Sequence, residues 1–326
     1  MKNFWLELKK PILALAPMEG VTDEAFRRIC KENGADVVYT EFISSDAIAY
    51  RGKTALRKMK HDDSERPVLC QIFGHNPEHF AEAAKMIEDM GFDGVDINFG
   101  CPARKVVSSG SGVAILRQPQ FARQLIEAAL NAVSIPVSIK VRTKIRKERQ
   151  EVLPGAEYST ALDLVAAIND LPVAAIMVHG RSFEAGHSGS VDTEMIAEVK
   201  KQFHGLVLAN GGITKATDVK DMLDQTGADG VGIARGSWGQ PWIFSQARQI
   251  LESGTCEEPS INQIIQTLRR HAELAQQSKG PHGLIEFRKH AANYLHGRPG
   301  VAALRRQAVQ ITTLEDVDRL IAQIPK

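Results

Sequence analysis

The sequence predicts an α/β fold, a (β/α)₈ TIM barrel followed by a small C-terminal all-helical domain. Three observations predict it: eight short apolar β-rich runs recur along about the first 250 residues, amphipathic stretches separate them, and only helical patterns follow. The runs begin at Ile12, Val37, Val68, Val95, Val137, Ala175, Leu206 and Gly230. Strands alternating with helices indicate parallel pairing, and a polar residue at nearly every strand's carboxyl end favours a closed barrel over an open doubly wound sheet.

The stretches between the strands have the spacing of helices. From Pro77 to Met90, the apolar side chains that fall on one face are Phe80, Ala83, Ala84, Ile87 and Met90. The barrel pattern stops near Leu251, before the segment Glu252–Ser260. We therefore predict a barrel domain over residues 1–252 and a helical domain over residues 260–326, with helices from Ile261 to Ser278, Gly283 to Tyr294, Val301 to Gln310 and Leu314 to Ile324.

Composition and charge place the chain among ordinary globular proteins. Its 326 residues are 43% hydrophobic, and 40 Lys and Arg against 39 Asp and Glu give a net charge of +1, which excludes disordered and polycationic classes. The basic residues nevertheless concentrate in two stretches, Lys140–Arg149 with six of them and Arg269–Arg306 with eight. A charge run is often only a solvated face, but two such runs beside a catalytic barrel favour a polyanionic ligand.

The cysteines indicate whether the chain binds a metal, and the apolar runs indicate where in the cell it works. Cys30, Cys70, Cys101 and Cys256 form no CxxC pair and have no His-rich partner segment, so we predict reduced thiols and no metal site. No apolar run reaches about 18 residues, and the N-terminal segment lacks an apolar core with a cleavage site. We expect a cytoplasmic protein without an export signal or a membrane span, and no obligate protein partner.

The strand ends carry the candidate reactive groups, because catalytic residues of such barrels lie where strands end and loops begin. In chain order they are Pro17 with Met18, Glu41, Gln71, Asn98 with Cys101, Lys140 with Arg142, His179 with Arg181, Asn210 and Arg235. Lys140 alternates with apolar neighbours, so it shares a face with Ser138 and Arg142. A charged ammonium that points into a barrel needs an anionic or polar partner; a lysine that reaches back to solvent is the alternative.

Two glycine clusters follow the last two strands, Ala209–Ile213 and Gly232–Gly239. Glycine lets the backbone approach an oxyanion, and backbone amides at these two places of a barrel often hold phosphate. The pair predicts a cofactor that carries phosphate, whereas either cluster alone could simply form tight turns. The chain contains neither a GxGxxG after a strand nor a GxxxxGKS/T, so neither a Rossmann site nor a P-loop is supported.

Seven motifs together resemble the tRNA-dihydrouridine synthases. They are APMEGVTDEAFR from Ala16, QIFG from Gln71, DINFGCPARKV from Asp96, VSIKVR from Val137, HGRS from His179, ANGGI from Ala209 and ARGSWGQPWIF from Ala234. The segment from Phe287 to Arg305 resembles the helical signature of the same family, so the likeness covers nearly the whole chain. It implies an FMN-dependent barrel that reduces particular uridines of tRNA, with NADPH as the electron source.

The resemblance also implies roles for individual residues. Pro17 and Met18 would lie against the flavin, Gln71 and Lys140 would bind its polar ring edge, and His179 would lie near its phosphate. Backbone amides would hold that phosphate at Asn210, Gly211, Gly212, Ala234, Arg235 and Gly236. Lys140 would stabilise the negative charge of the reduced coenzyme.

On the substrate side, the resemblance makes Cys101 the general acid. Hydride addition at carbon 6 of uracil leaves enolate-like charge, so carbon 5 must take a proton from the opposite face, and a thiol with a pKa of about 8.5 can donate it. Asn98 would pair with the uracil edge, and Arg142 and Arg181 would hold the target nucleotide. Arg288 and Lys289, in the basic helical segment, would contact RNA.

Three loops depart from the family pattern. Lys144-Ile145 and a basic insert, which includes Arg146, Lys147 and Arg149, replace a Gly-Trp-like loop. Val107–Ser109 and the pair Phe183 and His187 also replace other usual residues. These RNA-facing departures leave open which uridine is modified, and whether the substrate is tRNA or rRNA. The alternatives are an FMN barrel that reduces a free pyrimidine or another small enone, and a non-catalytic RNA-binding module.

Overall fold

The computed structural model describes residues 3–147, 157–296 and 302–325. It contains strands β1 Ile12–Leu15, β2 Val37–Tyr39, β3 Ile43–Ser44, β4 Val68–Phe73, β5 Gly94–Phe99, β6 Val137–Arg142, β7 Lys144–Arg146, β8 Tyr158–Thr160, β9 Ala175–His179, β10 Leu206–Asn210 and β11 Gly230–Ile233. The barrel order is β1, β2, β4, β5, β6, β9, β10, β11, all parallel, and the pairing of β11 with β1 closes it. The predicted eight-stranded barrel is therefore confirmed.

The helices are α1 Glu24–Glu32, α2 Ser45–Ala49, α3 Lys53–Lys58, α4 Pro77–Asp89, α5 Arg104–Ser108, α6 Pro119–Ala132, α7 Ala161–Ile168, α8 Thr193–Gln202, α9 Thr217–Thr226, α10 Ile243–Ser253, α11 Ile261–Lys279, α12 Pro281–Tyr294, α13 Ala302–Ala308 and α14 Leu314–Ala322. The four predicted C-terminal helices are present. Helix α12 starts two residues earlier than predicted, since proline suits the first position of a helix. Within the described residues, no helix is both long and apolar enough to cross a membrane.

Three strands lie outside the predicted set. Short β3 pairs with β4 at the carboxyl edge of the barrel. Strands β7 and β8 form an antiparallel ribbon where the sequence indicated only a basic insert, with Lys144 and Arg146 beside the Tyr158 ring. Residue Arg149 of that insert lies outside the described residues.

The barrel interior is apolar at its amino end and polar towards its carboxyl end. The amino end is filled by an apolar cluster that contains Ile12, Val37, Leu69 and Leu208. Trp5, from the short 3₁₀ turn Phe4–Leu6, joins this cluster. Higher in the barrel the interior side chains are polar, and the buried ones include Gln71, Asp96, Asn98 and Ser138. The floor is thus closed, and the polar chemistry lies at the end where the strands meet their loops.

The helical segment packs directly on the first barrel helix. Ala25 and Ile29 of α1 share a core with Leu268, Ala272 and Phe287 of α11 and α12. Two ion pairs join α11 to residues of this helix or its cap, Lys279 Nζ to Asp23 Oδ2 and Arg270 Nη2 to Glu32 Oε1, each at 2.8 Å. The division into domains at residues 252 and 260 stays a prediction.

Two buried histidines lie at the same junction. His271 and His290 are each 1% exposed, and their rings stack on Phe26 with centroids 5.6 and 4.9 Å away. His271 Nδ1 lies 3.3 Å from the Tyr294 hydroxyl, whereas His271 Nε2 and both nitrogens of His290 have no partner among the described residues. Burial lowers the pKa of His271 to about 4 and that of His290 well below its ordinary value. Both rings are therefore neutral at pH 7.

Acidification from pH 7 to pH 5 is expected to lower the free energy of unfolding. The unfolded chain takes up protons at these histidines below about pH 6.5, while the folded chain excludes them, so stability falls as pH falls. Urea denaturation at both pH values measures the effect. His290→Gln should flatten the dependence and His282→Gln, at an exposed position of the same helix, should not; equal slopes in wild type and His290→Gln would contradict the prediction.

Candidate active site

A cavity of about 1100 Å³ opens at the carboxyl ends of the barrel strands. Parallel strands deliver their carboxyl ends to one edge, which is why residues distant in sequence meet here. The cavity brings together fourteen of the predicted site residues: Pro17, Met18, Asn98, Cys101, Lys140, Arg142, His179, Arg181, Asn210, Gly211, Gly212, Ala234, Arg235 and Gly236. Gln71, Arg288 and Lys289 are not among its lining residues.

Gln71 lies beneath the cavity wall rather than in it. Its side chain is fully buried, its Nε2 donates to Asp96 Oδ2 at 2.7 Å, and its Oε1 accepts from Asn98 Nδ2 at 2.9 Å. Both ends of the amide are thus used inside the protein, because the strand register places Gln71 opposite Asp96. In this structure Gln71 supports Asn98, and direct contact with a cofactor stays a prediction.

Asn98 holds the loop that carries Cys101. Its Oδ1 accepts the backbone N–H groups of Gly100 and Cys101 at 2.9 and 2.8 Å. Gly112 lies against the same loop at φ +60°, where a Cβ would be 2.9 Å from the Cys101 carbonyl oxygen. The predicted contact of Asn98 with substrate is untested, but its role in shaping this loop is direct.

The Cys101 thiol lies in the cavity wall in a mostly desolvated position. The residue is 7% exposed, and the backbone N–H of Val113 donates to its carbonyl oxygen at 3.2 Å. Burial, with a smaller contribution from the charge of Glu19, raises the pKa of the thiol above its ordinary value. Cys101 is therefore protonated at neutral pH, the state that a proton donor needs.

Asp96 is a buried carboxylate that the sequence analysis did not single out. Burial raises its pKa to about 6, against hydrogen bonds from Ser138 and Gln71 and the charge of Lys140. Both Ser138 and Gln71 donate to it, which favours its ionised form. Its alternation with apolar Val95 and Ile97 along β5 was a signal for an inward-facing charge.

Four cations line the cavity, and among the described residues none of them is paired with a carboxylate. Lys140 Nζ donates to Asn210 Oδ1 at 3.1 Å, and burial and the charge of Arg142 lower the pKa of Lys140 to about 8. Burial and the charge of Arg235 likewise lower the pKa of Arg181. Glu19 is the sole carboxylate among the described lining residues, so the cavity is suited to an anion.

Arg142 differs from the other three cations because it is 1% exposed. Its Nε donates to the Gly100 carbonyl at 2.9 Å, and its Nη1 donates to the carbonyls of Ser182 and Gly186 at 3.0 and 2.8 Å. It thereby ties the Cys101 loop to the loop after β9. Arg142 also lines the cavity, and its contact with a nucleotide stays a prediction.

The two glycine clusters form a cradle at the other side of the cavity. Gly211 has φ +106°, and a Cβ there would lie 2.8 Å from Cδ2 of His179. At Gly236 a Cβ would lie 2.5 Å from the Ile213 carbonyl oxygen. Burial and the nearby cations Lys140 and Arg142 keep the pKa of His179 far below its ordinary value, so its ring is neutral. Glycine backbone, cations and a neutral imidazole together fit a phosphate group.

The helical segment also contributes to the cavity wall, which the sequence analysis did not predict. Asn293, Tyr294 and His296, at the end of α12, line it, and Gly239 approaches so closely that a Cβ would be 2.5 Å from the Asn293 carbonyl carbon. Trp238 lines it as well, and its buried Nε1 has no partner among the described residues. In the sequence, the segment from Phe287 to Arg305, which resembles the helical signature of the family, was the feature that could have predicted this contribution.

Most basic residues of the helical segment that the structure describes have structural partners. Arg269 pairs with Asp318, Arg270 with Glu32 and Lys279 with Asp23. Arg288 donates from Nε to the Ile311 carbonyl at 2.7 Å, whereas the charge of Lys289 acts on Glu19 of the cavity wall. Arg298 lies outside the described residues, and Arg305 and Arg306 are exposed.

The departures after β6 and β9 form one structural unit. The Phe183 N–H donates to the Lys144 carbonyl at 2.9 Å, and the Arg146 N–H donates to Glu184 Oε1 at 2.7 Å. The loop after β9, which carries cavity-lining His187, thus packs along the ribbon of β7 and β8. Two unusual segments of the sequence therefore alter a single region of the cavity rim.

Comparison with known proteins identifies the family. The profile of the family described as dihydrouridine synthase (Dus) matches residues 14–325. The chain is 33% identical over 325 residues to tRNA-dihydrouridine synthase B of Xanthomonas axonopodis pv. citri (strain 306), covering 97% of this chain and 95% of that protein. It is 37% identical over 303 residues to a probable tRNA-dihydrouridine synthase of Rickettsia bellii (strain RML369-C), covering 92% and 90%.

Solved structures share the barrel. Histamine dehydrogenase from Rhizobium sp. 4-9 superposes with a TM-score of 0.54 at 15% identity, over 80% of this chain and 48% of that one. Morphinone reductase in complex with tetrahydroNAD superposes with a TM-score of 0.50 at 13% identity, over 79% and 91%. These likenesses concern the fold alone. The match over residues 14–325 and the identity to full-length relatives show more: the chain belongs to the dihydrouridine synthase family of enzymes.

Proposed function

We propose that this protein reduces specific uridines of tRNA to 5,6-dihydrouridine, using bound FMN, NADPH as the electron donor and Cys101 as the proton donor. The observation that carries the proposal is that a buried, protonated thiol and a cationic glycine cradle line one cavity. The names of the two relatives support tRNA as the substrate. The family membership supports a reduction of uridine.

The cavity residues fit FMN by their donor set. Gly211, Gly212 and Gly236 would let backbone amides approach the phosphate, with Arg181 and Arg235 adding positive charge. Pro17 and Met18 supply apolar surface for a flat ring. When bound, FMN would supply the hydride chemistry that amino acid side chains lack.

The remaining steps fall to the protein's own groups. Lys140 would hold its ammonium beside the coenzyme ring and stabilise negative charge that develops on reduction. The Cys101 thiol would give its proton to carbon 5 of the uracil, and the Asn98 loop would hold the thiol at that distance. Closure of the floor keeps water from entering at the amino end.

RNA would bind across the rim. A uridine in folded tRNA is stacked or paired, so extrusion costs a few kcal/mol that contacts elsewhere must offset. Exposed cations that could contact its phosphates include Arg104 and Lys105 after Cys101, Arg146 on the ribbon, and Arg305 and Arg306 of α13. We propose that residues 260–326 act as the RNA-binding domain through such phosphate contacts, together with Lys289, whose charge acts on Glu19 of the cavity wall.

The decisive experiment maps dihydrouridine by mass spectrometry in total RNA from cells with and without the gene. We expect the nucleoside to vanish from one or more tRNA positions, and purified yellow protein to restore it with NADPH. Free uridine should not be reduced. Turnover of free uridine without RNA turnover, or loss from rRNA alone, would replace this proposal with the corresponding alternative.

Flavin reduction is expected to slow as pH rises through about 8, because Lys140 then loses the proton that makes it a cation. Lys140→Arg should remove this alkaline limb, since guanidinium stays charged, and Lys140→Met should slow reduction about 10²-fold at pH 7. Stopped-flow bleaching of the flavin by NADPH measures both. An unchanged alkaline limb in Lys140→Arg would assign the titration to another group.

A further inference from the structure

A chain of hydrogen bonds runs from one buried carboxylate to the loop of the proton donor. Ser138 Oγ donates to Asp96 Oδ1 at 2.6 Å, and Gln71 Nε2 donates to Asp96 Oδ2 at 2.7 Å. Asn98 Nδ2 donates to Gln71 Oε1 at 2.9 Å, and Asn98 Oδ1 accepts the N–H groups of Gly100 and Cys101. Asp96, Gln71 and Ser138 are almost completely buried, and so is Asn98.

The order of donors and acceptors along this chain is fixed at both of its ends. A carboxylate only accepts, whereas each amide has one donor end and one acceptor end. If Gln71 turned over, its Oε1 would face Asp96 Oδ2 with no proton between them. Asn98 would then have to turn as well, and would present Nδ2 to two N–H donors. The carboxylate at one end and the two backbone N–H groups at the other therefore select the same orientation of both amides.

We propose that Asp96 is a positioning residue that acts through Gln71 and Asn98 to hold the Cys101 loop in the geometry for proton donation. The inference rests on the proposed function, because it takes Cys101 as the donor. Asp96 touches neither Cys101 nor the cavity, and it is not among the lining residues. A displacement of about 1 Å in a reacting group costs up to about 10²-fold in rate, so a loop fixed by two N–H contacts to one oxygen is sensitive to that oxygen.

Asp96→Asn tests the role with little change in shape. Asparagine is a neutral and weaker acceptor, and it can accept from Gln71 only with its own amide nitrogen towards Ser138, so the charged end of the chain is lost. We expect kcat for RNA reduction to fall about tenfold with KM for RNA unchanged. Oxidation of NADPH with an artificial electron acceptor should stay at the wild-type rate, and so should flavin content.

Ser138→Ala is the matched control. It removes one hydrogen bond from the same carboxylate but leaves the contact of Asp96 with Gln71 in place. We expect it to keep RNA reduction within about twofold of wild type. A loss as large as that in Asp96→Asn would show that the carboxylate matters only for packing, and would overturn the inference.

The double variant Asp96→Asn with Gln71→Glu moves the carboxylate one position along the chain. The introduced asparagine amide would donate to the introduced glutamate, and that glutamate would accept from Asn98 Nδ2, so a charged acceptor again holds Asn98. We expect it to recover most of the kcat lost in Asp96→Asn. Failure to recover in a folded, flavin-loaded double variant would overturn the inference, and this variant decides the matter even if Asp96→Asn does not fold.

Alkylation of Cys101 by iodoacetamide, followed by mass spectrometry of its peptide, separates this inference from the proposed function. The loop should be less ordered in Asp96→Asn, and its alkylation rate should change several-fold, while that of Cys256 stays constant. Equal alkylation rates of Cys101 in wild type and Asp96→Asn would contradict the positioning role of Asp96. Absence of dihydrouridine with the wild-type enzyme would contradict the proposed function. The alkylation rates would still show whether Asp96 holds the Cys101 loop.

Discussion

Cys101→Ala is expected to reduce RNA-dependent turnover by about 10²- to 10⁴-fold, the range that a positioned general acid contributes. The variant removes the only proton source that the described cavity wall offers in thiol form. Flavin binding and NADPH oxidation should remain, because the predicted coenzyme contacts lie elsewhere in the cavity. The measurement is single-turnover reduction of tRNA by pre-reduced enzyme, with dihydrouridine counted by mass spectrometry.

Cys256→Ala serves as the control for that experiment. Cys256 is a half-buried thiol in the segment after α10, and it does not line the cavity. It should reduce RNA at the wild-type rate. Wild-type single-turnover rates in Cys101→Ala would contradict the assignment of the proton donor and would direct attention to Glu19, the carboxylate of the cavity wall.

Lys279→Met is expected to lower the free energy of unfolding by about 3 kcal/mol, the cost of leaving a buried charge without its partner. Burial would raise the pKa of Asp23, but the Lys279 ammonium holds it well below its ordinary value. The side chains of this pair are 18% and 9% exposed. Urea denaturation at pH 7 gives the loss, and the deficit should shrink as pH falls towards the pKa of Asp23, where the wild type loses the same contribution.

Arg270→Met is the matched control, because it breaks the second ion pair that joins α11 to α1. Those side chains are 40% and 39% exposed, and such surface pairs contribute at most about 1 kcal/mol. Equal losses in the two variants would contradict the argument from burial. Since α12 lines the cavity, Lys279→Met should also weaken RNA reduction at temperatures where the junction loosens.

The sequence predicted the barrel because the buried strands are short runs of Val, Ile and Leu with polar residues at their ends. The same logic located Cys101, Lys140 and His179, since a parallel barrel gathers strand ends whatever their details. It did not show that Gln71 would lie beneath the cavity wall. The depth of a side chain in a barrel depends on strand register, and Gln71 lies opposite Asp96 through a pairing that no local pattern reveals.

The basic helical segment shows a second limit of sequence reasoning. A run of Arg and Lys gives the amount of charge but not its partners, and Arg269, Arg270 and Lys279 pair with carboxylates from distant parts of the chain. The ribbon of β7 and β8 escaped prediction for a similar reason. Its strands have three residues each, too few to show alternation.

The closed floor of the barrel has a kinetic consequence. Trp5 and the apolar cluster around it leave the carboxyl end as the entrance to the cavity. Under the proposed function, NADPH and tRNA would therefore enter through the same opening in turn, and each would leave before the other binds. Turnover should then follow a ping-pong pattern, with parallel lines in double-reciprocal plots and inhibition when either substrate is in large excess.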